Sequence, residues 1–210
     1  MTPHWPLAQL RLHTPELRLV IPTFDQLYQL AELAADGVHP DDQMPFGQPW
    51  SAAPPAERAR SVLQWHWRSW AELDPEKWTL AFVVIRDGMV VGTQDLMATN
   101  FGVGRSVQTG SWLGQRFQGQ GIGTQMRAAV LEFAFRGLEA LEATTSAFVD
   151  NAASQRVSEK LGYLDNGNDQ HVIAGRPRRE RRFLLPRERW HCPIEVSIDN
   201  LTPCLPMLGV

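Results

Sequence analysis

Hydrophobic positions along this chain fall into short strand-like runs and longer stretches of helical period. Leu17 to Ile21 reads as a first strand, stopped by Pro22. Thr23 can cap a helix running to about Ala35, because Leu27, Leu30, Ala31 and Ala34 recur at helical spacing; Gly37 ends it. Val38 to Pro55 holds Pro40, Pro45, Pro49, Pro54 and Pro55 with Met44, Phe46 and Trp50, a long turn-rich loop of the kind that often carries function. Pro55 then opens a helix to about Leu73. Trp78 to Ile85 and Met89 to Asp95 are β-rich and meet at Asp87-Gly88, a hairpin signal. Ser106 to Leu113 is a third strand, and Gly110 within it predicts a bulge or the close approach of another backbone. A helical face spans Ile122 to Phe135. Thr144 to Val149 reads as a strand, Asn151 to Leu161 as a helix closed by Gly162, and Gln170 to Leu185 as a hairpin.

At 210 residues, 43% hydrophobic and 20% charged, the chain suits one globular domain, set here at residues 10–190 with a C-terminal tail at 191–210. The longest apolar run, Leu80 to Ile85, is far short of the roughly 20 residues of a membrane span. The N-terminal MTPHWPLAQLRL lacks a basic-then-apolar leader. Cys192 and Cys204 form neither a disulfide framework nor a zinc spacing, so no metal is expected and a cytoplasmic location is. A net charge of −3 argues against nucleic acid as the main partner. Seven arginines nevertheless crowd between Arg176 and Arg189. They read either as a solvated strand edge or as a docking surface for phosphates or an acidic partner.

The chemistry concentrates at Arg116-Phe117-Gln118-Gly119-Gln120-Gly121-Ile122-Gly123-Thr124, between a strand and a helix. Glycines let backbone N–H groups approach a ligand, and a helix N-terminus favours an anion, so the segment suits phosphate. The residue after Gly123 is Thr124 rather than the lysine of a P-loop, and one residue separates the last two glycines where a dinucleotide fingerprint needs two. The spacing Arg-x-x-Gly-x-Gly-x-Gly instead resembles the coenzyme A pyrophosphate loop of the GNAT N-acyltransferases. Asn151-Ala-Ala-Ser154, Val157 and Lys160-Leu161-Gly162-Tyr163 add a second element, and the pair resembles the RimJ/RimL-like branch over about residues 10 to 186.

That resemblance implies an α+β (α/β/α) fold: a mixed, mostly antiparallel twisted sheet, flanked by helices, with a central strand pair that splays to admit the acyl-CoA arm. It implies direct transfer of an acetyl group, or a succinyl group, from acyl-CoA to a primary amine on a protein N-terminus, a lysine or a small molecule. Trp112, Leu113, Gly114, Arg116, Phe117, Gly119, Gly121, Gly123, Thr124 and Asn151 are then the donor-binding residues. Backbone N–H groups near Trp112 to Gly114 would steady the oxyanion. Ser154 matches the position relatives bring to the departing sulfur; an ordinary helix serine, or a plain cap for Asn151, are the structural alternatives. The strand Val107 to Ser111 lacks the glutamate that relatives often carry. Asp95, Asp150, His171 or an ordered water could serve as base. His39, Met44, Phe46 and Trp67 are expected to wall the acceptor, and His39, His66 and Arg68 lie in segments that could wall the acyl pocket, which keeps a dicarboxylic acyl group open beside acetyl. Trp65, Trp67 and Trp70 do not share one helical face, so one faces a ligand or the helix is covered twice, as in a homodimer. The competing reading is an acyl-CoA sensor without turnover, acting through its arginines.

Overall fold

The computed structural model describes residues 4–173 and 175–210. Its strands are β1 (Arg11–His13), β2 (Leu17–Val20), β3 (Lys77–Arg86), β4 (Met89–Thr99), β5 (Ser106–Leu113), β6 (Glu142–Phe148), β7 (Leu164–Ile173), β8 (Arg176–Pro186) and β9 (Ser197–Asp199). Its helices are α1 (Phe24–Asp36), α2 (Pro55–Ala71), the short α3 (Phe101–Gly104), α4 (Ile122–Glu132) and α5 (Ala152–Lys160). The strands form one sheet in the order β7-β8-β6-β5-β4-β3-β2-β1-β9. Every neighbouring pair is antiparallel except β5 and β6. No described helix is long and apolar enough to cross a membrane.

Local chemistry explains the elements. Thr23 and Gln26 form a reciprocal capping box at the start of α1, each side chain accepting from the other's backbone N–H. Asp87 and Gly88 both take positive φ, 50° and 78°, which matches the twist of the β3–β4 hairpin. Helices α1 and α2 cover one face of the sheet, burying Leu27, Leu30, Leu33, Val38 and Val62 against Val20, Val83 and Ile85. Helix α4 covers the other with Ile122, Met126, Ala129, Val130 and Phe133, and Leu161 beyond α5 joins the same cluster.

The decisive feature is a break in the middle. β5 and β6 pair only from Ser106, Val107 and Gln108 to Glu142, Ala143 and Thr144. Beyond those rungs β5 stays with β4 as far as Leu113, while β6 stays with β8 as far as Phe148. The two arms part, and hydroxyls bridge the start of the gap: Thr144 Oγ1 donates to the Val107 carbonyl and Thr145 Oγ1 to the Thr109 carbonyl, each at 3.2 Å.

Two expectations need correction. Gly110 marks no bulge, because the β4–β5 register runs evenly from Gly92↔Leu113 to Met97↔Gln108. The irregularity lies in the β3–β4 pair at Val84/Ile85, and the close backbone approach belongs to Gly92, where a Cβ would collide with the Trp112 carbonyl. The segment read as a tail also contributes to the fold. β9 pairs with β1, Cys204 and Leu208 are fully buried, and Trp78 Nε1 donates to the Leu208 carbonyl at 3.0 Å.

Candidate active site

β5 leads through Gly114 into the glycine loop. A Cβ at Gly114 would collide with Leu33, so this glycine lets α1 approach the loop. Gly119 and Gly121 sit at φ 73° and 82°, the left-handed region, and Gly121 is the N-cap of α4. Gly123 differs: a Cβ there would make ordinary contact with Val157 at 3.7 Å. Thr124 and Gln125 N–H groups turn back to the Gly121 carbonyl, whereas the amides of Gly119 to Gly123 find no backbone partner among the described residues. An exposed run of N–H groups thus opens a helix, the arrangement that favours an anion. Gln118 Nε2 braces the loop by donating to the Val38 and Leu113 carbonyls at 2.8 and 3.0 Å. Arg116 is solvent-facing, stacked on Phe117 and paired with Asp36 at 3.0 Å.

Ladder alternation decides which β5 groups face the gap. Residues whose N–H and C=O point to one neighbour alternate with those that point to the other. The Val107 and Thr109 carbonyls point to β6, so the backbone of Ser111 and Leu113 is turned toward the gap as well. The amide of Gly114 is spent on the Val91 carbonyl at 3.0 Å. Among the expected oxyanion donors, Leu113 N–H is therefore directed into the gap, while Gly114 and Trp112 face β4.

Across the gap, Asn151 caps α5: its Oδ1 accepts from Ser154 N–H at 3.1 Å. Ser154 is half-buried, and its hydroxyl has no recorded partner among the described residues. Ser158 Oγ donates to the Ser154 carbonyl at 3.2 Å.

On the α1–α2 face a cavity of about 420 Å³ is lined by Phe46, Trp50, Trp65, His66, Asp95, Gly110 and Trp112, with Ser111 and Arg68 among its other neighbours. Gly110 lies directly opposite Asp95 in the β4–β5 ladder. A side chain there would fill the floor of the cavity. Asp95 is half-buried; its Oδ2 accepts from Trp65 Nε1 at 3.1 Å and its Oδ1 lies 3.3 Å from Thr93 Oγ1. The single Thr93 proton has a closer acceptor in the Phe82 carbonyl, at 2.8 Å. Burial pushes the Asp95 carboxyl up to about 7, against the opposing pull of the hydrogen bond from Trp65. His66 is fully enclosed, burial pulls it down to about 4, and neither ring nitrogen has a partner, so it is neutral at ordinary pH.

The expected acceptor residues divide. Phe46 is in the wall, within an aromatic file His39–Phe46–Trp50–Trp112 whose ring centres are 5.9, 5.1 and 5.8 Å apart. His39 and Met44 stand behind it. His39 Nδ1–H donates to the Pro40 carbonyl at 2.7 Å, Nε2 meets Ser51 Oγ at 2.7 Å, and Ser51 Oγ also reaches Met44 Sδ at 3.7 Å. Trp67 is 40% exposed and outside the cavity wall; Trp65, two residues earlier and nearly opposite on the helix, takes that place. The other carboxylate and imidazole candidates are engaged elsewhere. Both oxygens of Asp150 accept from Arg178 Nη2 at 2.9 Å, and His171 is bound to Glu180 at 2.9 Å. Arg178, Arg181 and Arg182 are tied to Asp150, to Glu159 and Asp165, and to Asp169, so part of the arginine cluster is internal structure. The sequence signal for Asp95 is that it is the single charged residue of its strand; for Trp65 it is the crowding of three tryptophans on one helix.

The profile of the acetyltransferase (GNAT) domain family matches residues 17–164. The Bacillus subtilis protein YdaF, provisionally named a ribosomal N-acetyltransferase, is 34% identical over 65 residues, or 31% of this chain and 36% of that protein. The match thus spans about a third of the length of this curated relative. Among solved structures, a GCN5-related N-acetyltransferase from Brucella melitensis superposes with a TM-score of 0.66 at 22% identity, covering 86% of this chain and 80% of that one. RimL, a ribosomal L7/L12 alpha-N-protein acetyltransferase in complex with coenzyme A, gives 0.64 at 17%, covering 82% and 95%. The microcin C7 self-immunity acetyltransferase MccE, in complex with acetyl-CoA and AMP, gives 0.63 at 16%, covering 82% and 93%. With a family profile spanning most of its length, laid over a sheet that parts behind a glycine-rich helix start, this chain belongs to the GNAT acetyltransferase family.

Proposed function

We propose that the protein transfers an acetyl group from acetyl-CoA to a primary amine seated in the aromatic cavity, with Asp95 as the base. The observation that carries this reading is the Asp95 carboxyl, held near neutrality by burial and facing a cavity whose floor is the β5 segment beside the gap. In this reading the glycine loop takes the donor's pyrophosphate, and the pantetheine arm lies along the open edge of β5 at Ser111 and Leu113. The acceptor enters as an ammonium beside Asp95 and the tryptophan faces, which favour a cation. Asp95 removes one proton, the amine lone pair attacks the thioester carbonyl, and Leu113 N–H donates to the oxyanion. On collapse the nitrogen gives up its second proton and the thiolate leaves past Ser154, whose hydroxyl relays that proton to the sulfur.

Acetyl is favoured over succinyl. His66 is neutral, and Asp95 would repel a second carboxylate in the cavity, leaving Arg68 as the nearest cation. The four rings of Phe46, Trp50, Trp65 and Trp112 suit an amine on an apolar or planar body, from a small molecule or the first residue of a protein. Two free thiols, Cys192 and Cys204, accord with a reducing cytoplasm, and the exposed Phe24, Tyr28 and Trp67 accord with a homodimer.

Calorimetry with coenzyme A, acetyl-CoA and succinyl-CoA tests the donor. Thiol release with small amines, N-terminal peptides and lysine peptides tests the transfer. Binding of coenzyme A without thiol release on any amine would replace this reading with that of a sensor. A preference of succinyl-CoA over acetyl-CoA would overturn the donor assignment.

A further inference from the structure

Helix α4 carries one arginine inward, beneath the gap. Arg127 is 4% exposed. Its Nη2 donates to Ser111 Oγ on β5 at 3.2 Å, and its Nη1 donates to Ser158 Oγ on α5 at 3.1 Å. The guanidinium therefore fastens the β5 arm to the helix that follows the β6 arm. Among the described residues its Nε has no partner and no carboxylate acts on it; the ionisable neighbour is Tyr163, whose hydroxyl burial keeps protonated and neutral. Tyr163 OH and Thr109 Oγ1 lie beside one another in the same buried seam, and neither forms a hydrogen bond of good geometry. Burial lowers the basicity of Arg127 from its usual value, yet a guanidinium stays protonated at any ordinary pH. A buried cation without a counter-charge is expensive. Here it stands on the opposite side of the sheet from Asp95: successive side chains alternate, so Ser111 faces α4 and α5, while Gly110, paired with Asp95, faces α2.

We infer that Arg127 supplies the fixed positive charge that offsets the thiolate as it leaves and, through Ser158, sets the position of the Ser154 turn. The inference rests on the acyl-transfer reading above. In that reaction Asp95 takes the first proton from the ammonium, the freed lone pair forms the C–N bond, the C–S electron pair departs with sulfur, and the second nitrogen proton follows to the sulfur. Negative charge then grows on the donor side of the sheet, and Arg127 is the one buried arginine or lysine among the described residues. Arg127 touches none of the reacting atoms; it is a positioning residue that acts through Ser158 and through its field.

The test titrates the thiol of coenzyme A bound to the full chain, followed by the ultraviolet absorbance of the thiolate, in the wild type, Arg127→Gln and Arg127→Lys. The bound thiol should titrate about one pH unit or more below the free coenzyme in the wild type and in Arg127→Lys. In Arg127→Gln it should return to the free value, with kcat about 10- to 100-fold lower and the donor Kd changed less than about threefold. A wild-type bound thiol that titrates like free coenzyme A overturns the inference, and this arm needs no variant to fold. Folded Arg127→Gln with an unchanged thiol titration and kcat overturns it too. Failure of coenzyme A to bind at all would fall instead on the acyl-CoA reading, and this inference would go with it.

Discussion

Trp65 Nε1 donates to Asp95 Oδ2 at 3.1 Å, tying the helix over the cavity to the strand beneath it. A hydrogen bond to a carboxylate favours its ionised form, so this contact holds the Asp95 carboxyl lower than burial alone would set it. Trp65→Phe should move the acid limb of the kcat/KM profile to higher pH. One hydrogen bond of about 0.5–1.5 kcal/mol corresponds to a shift of roughly half to one pH unit. A profile that stays in place would mean that Asp95 does not govern that limb.

Asp95→Asn separates catalysis from stability. Loss of the base should lower kcat about 10²–10⁴-fold near neutral pH. Stability should move the other way. The carboxyl rises from its ordinary 3.8 to about 7 on folding. Between those values the unfolded chain has released a proton that the folded chain keeps, so wild-type stability falls as pH rises through this window and stays lower above it. The asparagine variant escapes that loss. Its Tm should match the wild type near pH 3 and exceed it near pH 8; denaturation at the two pH values decides the matter.

The glycine loop makes a graded prediction. At Gly121 an alanine meets no steric obstacle but must adopt a left-handed backbone, at a cost of about 1–2 kcal/mol, or the loop must shift. Gly121→Ala should therefore weaken coenzyme A binding, by roughly tenfold if that strain falls on the bound state. Gly123→Ala adds one ordinary contact to Val157 and should bind within about threefold of the wild type. Calorimetry on the two variants compares them directly; equal losses would show that both glycines are needed for space rather than for conformation.

Ser154→Ala distinguishes proton delivery from helix geometry. The Ser154 backbone carries the cap from Asn151 and the bond from Ser158, and both survive loss of the hydroxyl. A role at the departing sulfur predicts a kcat at least several-fold lower, up to about 10²-fold, with donor Kd unchanged. An unchanged kcat would transfer that role to water.

Much of this arrangement was legible because it is local. The capping box at Thr23, the Asp87-Gly88 turn and the glycines before α4 are each settled by a few adjacent residues. The parting of β5 and β6 is not readable from composition or spacing: it depends on how each arm is held by its outer neighbour, β4 or β8, and only the family resemblance implies it. The tail failed for a related reason. Ser197–Asp199 is too short to announce a strand, and becomes one by lying beside Arg11–His13, almost the whole chain away. The tryptophans of α2 identified the right helix but the wrong member. Asp95 stood among several bases until three dimensions engaged Asp150 with Arg178 and His171 with Glu180.

Three rungs of parallel pairing, with two threonine hydroxyls at the start of the gap and the Arg127 clasp beneath it, join two arms of the sheet that part beyond them. Mechanically this is a pair of plates on a short hinge, one plate built from β9 through β5 and the other from β6, β8 and β7. A bound thioester arm would act as the absent strand, lending its amide groups to edges that otherwise face water. The fold would then be complete only in company with a metabolite, and its resistance to unfolding would rise with the logarithm of the donor concentration above Kd. Amide exchange at Ser111 and Leu113, fast in the empty chain and slow in the loaded one, would read the occupancy of that missing strand.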